Sequence, residues 1–79
     1  VTATARLSIV HPETVRLRDE LARRRRRLGL SQEELDERLG CAERMVSKWE
    51  CGRHAPTLGA LVAWAEALGL RIVLLETAE

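Results

Sequence analysis

Aromatic residues are nearly absent from this 79-residue chain: two tryptophans, no tyrosine and no phenylalanine, 3% in all. With 46% hydrophobic and 32% charged residues beside so few rings, the composition is one common among compact helical proteins. Cysteine is as scarce. Cys41 and Cys51 are roughly 15 Å apart if one helix joins them, whereas a disulfide needs Cα atoms within about 7 Å. That argues against a disulfide framework, and both are expected as free thiols in a reducing cytoplasm. Cys41, Cys51, His11 and His54 lack the paired Cys-x₂₋₄-Cys spacing of structural metal sites, so neither a metal nor any other cofactor is expected. No Ser/His/Asp or Cys/His arrangement presents itself, and the acids fall where helix caps and ion pairs need them, so no enzyme is expected. The N-terminus shows no basic-then-apolar leader. The longest apolar stretch, Leu58 to Leu75, is interrupted by Glu66 and Arg71, which argues against a membrane span. A soluble cytoplasmic protein is the expectation. Internal repeats and low-complexity linkers are missing, and one domain of this size has a thin stability margin that dimerisation would widen.

Neither sign of charge dominates. Thirteen Lys and Arg against twelve Asp and Glu leave +1, which neither demands nor excludes a nucleic acid. The distribution is uneven, because residues 1–27 hold eight arginines against Glu13, Asp19 and Glu20, a local net of +5. The run Arg23 to Arg27 invites a phosphate-binding reading. Against it, Asp19–Arg23 and Glu20–Arg24 are favourable i,i+4 pairs and cations suit a helix C-terminus.

What is present is a series of helix starts and stops. Residues 1–11 form an N-terminal arm in which Val1, Ala3, Ala5, Leu7 and Ile9 alternate with polar residues, the pattern of a half-buried strand; a frayed end is the alternative. His11-Pro12-Glu13 opens a first helix, with Leu17, Leu21 and Leu28 as its buried stripe and Gly29 as its stop. Ser31 and Glu34 form a capping box for a second helix, which Gly40 ends. A third helix is expected over 42–50, ended by Gly52. Thr57 caps a fourth, with Leu58, Leu61, Val62, Ala65 and Leu68 as its stripe and Gly69 closing it. Trp64, four residues before Leu68, reads as core or interface. Residues 12–69 thus make a helical bundle, and 70–79 a tail in which Leu70 to Leu75 is more strand-like than helical.

Two short helices joined by a tight glycine-containing turn make a helix-turn-helix, in which one helix braces across the DNA backbone and the next enters the major groove. At about 100° per residue, Met45, Val46 and Trp49 fall within about 60° of Ala42 and form an apolar face. Glu43, Arg44, Ser47 and Lys48 fall opposite, where Arg and Lys can donate to guanine O6/N7 and to phosphate. An ordinary solvated helix face would look the same if it stood alone. Arg25 lies within the first helix's buried stripe and Glu50 at the edge of the third helix's apolar face, so a partly buried Arg25–Glu50 bridge is expected to tie them.

LGLSQEEL, a Leu-Gly turn, MVSKWE and CGRHAP together resemble the XRE-type family of Cro and phage-repressor-like helix-turn-helix domains. The resemblance runs from about Leu17 to Leu70. It implies a mainly α fold, a four- to five-helix bundle, usually dimeric, reading double-stranded operator DNA. By position it implies base contacts from Glu43, Arg44 and Lys48, with Ser47 at a base edge or phosphate. Phosphate contacts are implied for Gln32, Arg53 and Thr57, and Arg25 with Glu50 matches the family's internal bridge.

Two residues depart from the family pattern. Asp36 stands where a small residue is usual, and Ala42 where Ser or Thr usually caps the third helix; Ala there costs about 1 kcal/mol. Asp36 is expected to compensate by pairing with a basic side chain or with the nearby helix start. The functional expectation is a sequence-specific transcriptional regulator, a dimeric repressor at a palindromic operator. The competing one is a protein-interaction adaptor or antitoxin-type protein, with a toxin or other protein as partner, because Glu33, Glu34, Asp36 and Glu37 make an acidic second helix that would repel phosphate. Leu70 to Leu75 could pair with its counterpart in a second subunit, or with residues 1–10, to form an intersubunit sheet. A fifth helix or a packed tail is the alternative.

Overall fold

Local caps and stops, Ser31 and Gly40 among them, set where the helices begin and end. The computed structural model of the chain describes residues 11–78, and the strand expected over residues 1–10 lies outside them. Four helices are present among the described residues: α1 (Pro12–Arg27), α2 (Gln32–Leu39), α3 (Met45–Glu50) and α4 (Leu58–Ala67).

α1 starts on His11, whose Nδ1 accepts from the Glu13 amide at 3.0 Å, with Pro12 in the first turn, where its missing N–H leaves nothing unpaired. α2 carries the full capping box: Ser31 Oγ accepts from Glu34 N at 3.0 Å and Glu34 Oε1 accepts from Ser31 N at 2.8 Å. It ends on Gly40, whose φ of 67° is left-handed backbone that a Cβ would disfavour. Thr57 Oγ1 accepts from Ala60 N at 3.0 Å and so caps α4.

The core is one cluster of Leu21, Leu35, Val46, Trp49, Trp64, Ala65 and Leu68. The two indoles meet at 5.2 Å between ring centroids with a 36° tilt, so α3 and α4 share the only aromatic contact among the described residues. α3 packs on both α1 and α2, and α4 packs on α2.

Three expectations need correction. Leu28 is 45% exposed instead of completing the α1 stripe: the helix ends at Arg27, Leu28 is its C-cap, and the chain turns away at Gly29. The buried face of α1 is Leu21, Ala22 and Arg25. In α4, Leu58 and Val62 are 80% and 41% exposed. Burial of Trp64 rotates the helix so that Leu61, Trp64, Ala65 and Leu68 face inward, the same i, i+3, i+4, i+7 spacing on a neighbouring stripe. The third helix begins at Met45, not at residue 42.

Residues 70–78 form neither helix nor strand. Leu70 packs against the core while Leu74 and Leu75 are 96% and 84% exposed. A strand exists only through its ladder of hydrogen bonds, and no described segment of this chain pairs with Leu70–Leu75.

Candidate nucleic-acid interface

α3 starts without a cap of its own. Its N-cap residue is Arg44, left-handed at φ 64°, and no side chain within the turn bonds to the helix start. The free amides are taken by Asp36, from the middle of α2. Asp36 Oδ2 accepts from Arg44 N at 2.9 Å, and Oδ1 accepts from Val46 N at 2.9 Å. Cys41 Sγ donates to the same Oδ1 at 3.4 Å. Asp36 is only 6% exposed, so all three donors satisfy a carboxylate that water hardly reaches. Burial, then the hydrogen bond to Asp36 and its charge, push the Cys41 thiol above its ordinary pKa.

This explains the shortened helix. A serine or threonine at residue 42 would bond amides two or three residues on. Ala42 cannot, and it lies exposed ahead of the helix rather than on its apolar face. The acid expected to pair with a basic side chain or the helix start thus does the latter, from another helix.

The far end of α3 is braced from α1. Arg25 Nε and Nη2 donate to Glu50 Oε2 and Oε1 at 2.7 and 3.1 Å, a two-pronged pair with both side chains about nine-tenths buried. Arg25 Nη1 donates to Leu30 O at 2.8 Å, and Gln32 Nε2 donates to Glu50 Oε1 at 2.8 Å. The start of α2, the end of α1 and the end of α3 are tied at one carboxylate.

The other arginines of the run divide by task. Arg23 pairs with Glu20, one turn back, rather than with Asp19. Arg24 does not meet Glu20; its Nε donates to Leu68 O at 3.0 Å and ties α1 to the end of α4. Arg26 and Arg27 are exposed and make no ion pair among the described residues.

On the outer side of α3, Glu43 and Arg44 are exposed, and Ser47 and Lys48 are half-buried. Glu43 and Arg44 belong to the turn before the helix, and only Ser47 and Lys48 lie on the helix itself. Arg44 and Ser47 share an open cleft with Ser31, Gln32 and Glu33, floored by Arg25 and Asp36. Glu43, Lys48, Arg53 and Thr57 do not line this cleft. The loop after α3 folds back so that Arg53 N and His54 N both donate to Lys48 O, at 2.9 and 3.2 Å, which keeps the exposed Arg53 beside the end of α3. One arginine had no role in the sequence: the Arg18 guanidinium lies against Gly52, where an added methyl would come within 2.5 Å of Nη1. The signal that could have found it is helical spacing, three residues before Leu21 and seven before Arg25, on the edge of the buried face.

Residues 21–75 match the family described as Helix-turn-helix. Over 56 residues the chain is 45% identical to the uncharacterized HTH-type transcriptional regulator y4dJ of Sinorhizobium fredii, covering 71% of this chain and 73% of that protein. No solved structure matches. With a capped α2, a left-handed glycine turn and a braced α3 inside the matched span, the chain belongs to the XRE-type, Cro-like helix-turn-helix family, whose members are DNA-binding transcriptional regulators and not enzymes.

Proposed function

We propose that this protein is a sequence-specific DNA-binding repressor that binds a palindromic operator as a dimer, with α3 and the turn before it in the major groove. The observation that carries this reading is a division within one short segment. Val46 and Trp49 are sunk in the core and Glu50 is locked to Arg25, while Glu43, Arg44, Ser47 and Lys48 have polar groups with no part in the core. A rigid brace under an exposed polar edge is what base reading needs.

In this reading Arg44 donates to guanine O6/N7, Glu43 accepts from a cytosine amine, and Lys48 and Ser47 contact base edges or phosphate. Gln32 spends one amide hydrogen on Glu50 and keeps the other for a phosphate oxygen. Arg53 and the Thr57 hydroxyl at the start of α4 contact phosphate as well. Residues 12–69 are the DNA-binding bundle, and the exposed aliphatics of residues 70–79, together with residues 1–11, supply the subunit contact. The name of the S. fredii relative, an HTH-type transcriptional regulator, supports the regulatory part of this reading.

The adaptor alternative rests on the acidity of α2. Of its four acids, Glu34 is committed to the capping box and Asp36 is buried under α3, leaving Glu33 and Glu37 to face a partner. A binding selection on random duplex DNA, followed by salt titration, decides between the two. A palindromic consensus whose affinity falls steeply with salt is expected. No enrichment, with weak binding even at low salt, would favour the adaptor.

A further inference from the structure

Four polar side chains can be offered to DNA from this segment in two ways. If the third helix ran from residue 43, Glu43, Arg44, Ser47 and Lys48 would share one helical face. With the helix starting at Met45, Glu43 and Arg44 leave that face and project from a left-handed turn. The same residues then meet different base positions. What selects the second arrangement is a carboxylate outside the segment: Asp36 takes the Arg44 and Val46 amides on its two oxygens and bridges the bend between them. A left-handed backbone is disfavoured for a residue with a Cβ, so Arg44 holds φ 64° only while something favours it. No side chain of the turn itself does so.

We propose that Asp36 is a specificity-positioning residue: from α2, and without touching DNA, it fixes the helix start and thereby which bases Glu43 and Arg44 reach. This rests on the DNA-reading function proposed above. It explains why a buried acid is tolerated between α2 and α3, and why Ala42 needs no hydroxyl.

The test moves the cap. Asp36→Ala removes it, and Asp36→Ala with Ala42→Ser offers a hydroxyl that can accept from amides two or three residues on, letting the helix begin at residue 43. The wild type and both variants are melted, selected against random DNA, and examined by NMR for the amide–Hα coupling of Arg44 and the exchange protection of the Arg44 and Val46 amides. The expected result is a lowered melting temperature for Asp36→Ala, most of it recovered in the double variant. The recovered protein should prefer a different sequence, with the ratio of affinities for the two selected sites changed by about tenfold or more. A double variant that regains stability and selects the wild-type site with an unchanged ratio would overturn the inference. So would Asp36→Ala with the Arg44 coupling and both amides as in the wild type. Should Asp36→Ala fail to fold, Asp36→Asn carries the NMR measurement, with protection lost at one of the two amides expected. A wild type that enriches no DNA sequence would remove the function proposed above, while the Arg44 measurement would still decide whether Asp36 sets the helix start.

Discussion

Glu50 has little slack. Oε2 is taken by Arg25 Nε, and Oε1 is shared between Arg25 Nη2 and Gln32 Nε2, all between 2.7 and 3.1 Å, with the carboxylate nearly out of water. A buried pair contributes little over apolar residues of like volume, but removing one partner leaves the other charge stranded. Glu50→Ala or Arg25→Ala should therefore cost about 3–5 kcal/mol, read as a lower urea midpoint. Arg25→Met combined with Glu50→Leu should lose less than either truncation. A double variant weaker than both singles would mean the pair adds stability beyond its shape. The glycines at 40 and 52 offer a second comparison at this scale. Both are left-handed, at φ 67° and 82°, but a methyl at Gly40 meets nothing within 4 Å whereas one at Gly52 meets the Arg18 guanidinium. Gly40→Ala should cost about 1–2 kcal/mol for the backbone alone. Gly52→Ala should cost more, and truncating Arg18 should narrow the gap; equal losses in thermal melts would show that Arg18 moves aside freely.

At the level of the elements, α2 is the helix whose ends the sequence states most completely, and its cap has a pH dependence with a definite sign. Hydrogen bonds from the Ser31 backbone and then its side chain lower the Glu34 pKa in the folded protein. A depressed carboxyl contributes stability that is fully present above the unfolded value of about 4.3 and is lost as pH falls through the folded value. Glu34→Gln should remove that part of the acid sensitivity: wild type and variant should converge in stability below this range and differ most above it. A constant difference across pH 2 to 7 would show that the charge of Glu34 is not what the cap uses.

The same scale shows what could be read in the residues. Caps and stops made within three or four positions, at Ser31, Gly40, Thr57 and Gly69, are found where the sequence suggests them. The start of α3 was not legible in full, because its cap arrives from eight and ten residues away, at Asp36. An acid out of keeping with the family pattern hinted at it, but nothing local says which amides it takes. α4 misled for another reason: Leu58, Leu61, Val62 and Trp64 stand on a background of alanine and glycine with Leu68 just beyond, so several stripes fit and only the fit of Trp64 against Trp49 chooses among them. The arginine run misled because one side chain can reach a carboxylate on its own helix or a carbonyl on another, as Arg24 does at Leu68. The outward residues near α3 were legible as polar, though not as a set split between a turn and a helix.

For the whole molecule the open question is what covers the tail. Val73, Leu74 and Leu75 are 62%, 96% and 84% exposed, a run of apolar surface. The proposed dimer covers it, and stability should then depend on concentration, the melting temperature rising as protein is added. If the cover is an intersubunit strand, alternate side chains face opposite ways, so Ile72 and Leu74 share one face and Val73 and Leu75 the other. Leu74, at 96% exposure, is the most exposed of the four and gains most from cover, which turns the face it shares with Ile72 toward the partner. Leu74→Lys should thus raise the dimer dissociation constant well beyond Leu75→Lys, as measured by sedimentation equilibrium. Equal weakening by both would point to an irregular contact instead of a strand. Melting independent of concentration, with a monomer mass at micromolar protein, would remove the dimer and with it the reason to expect a palindromic site.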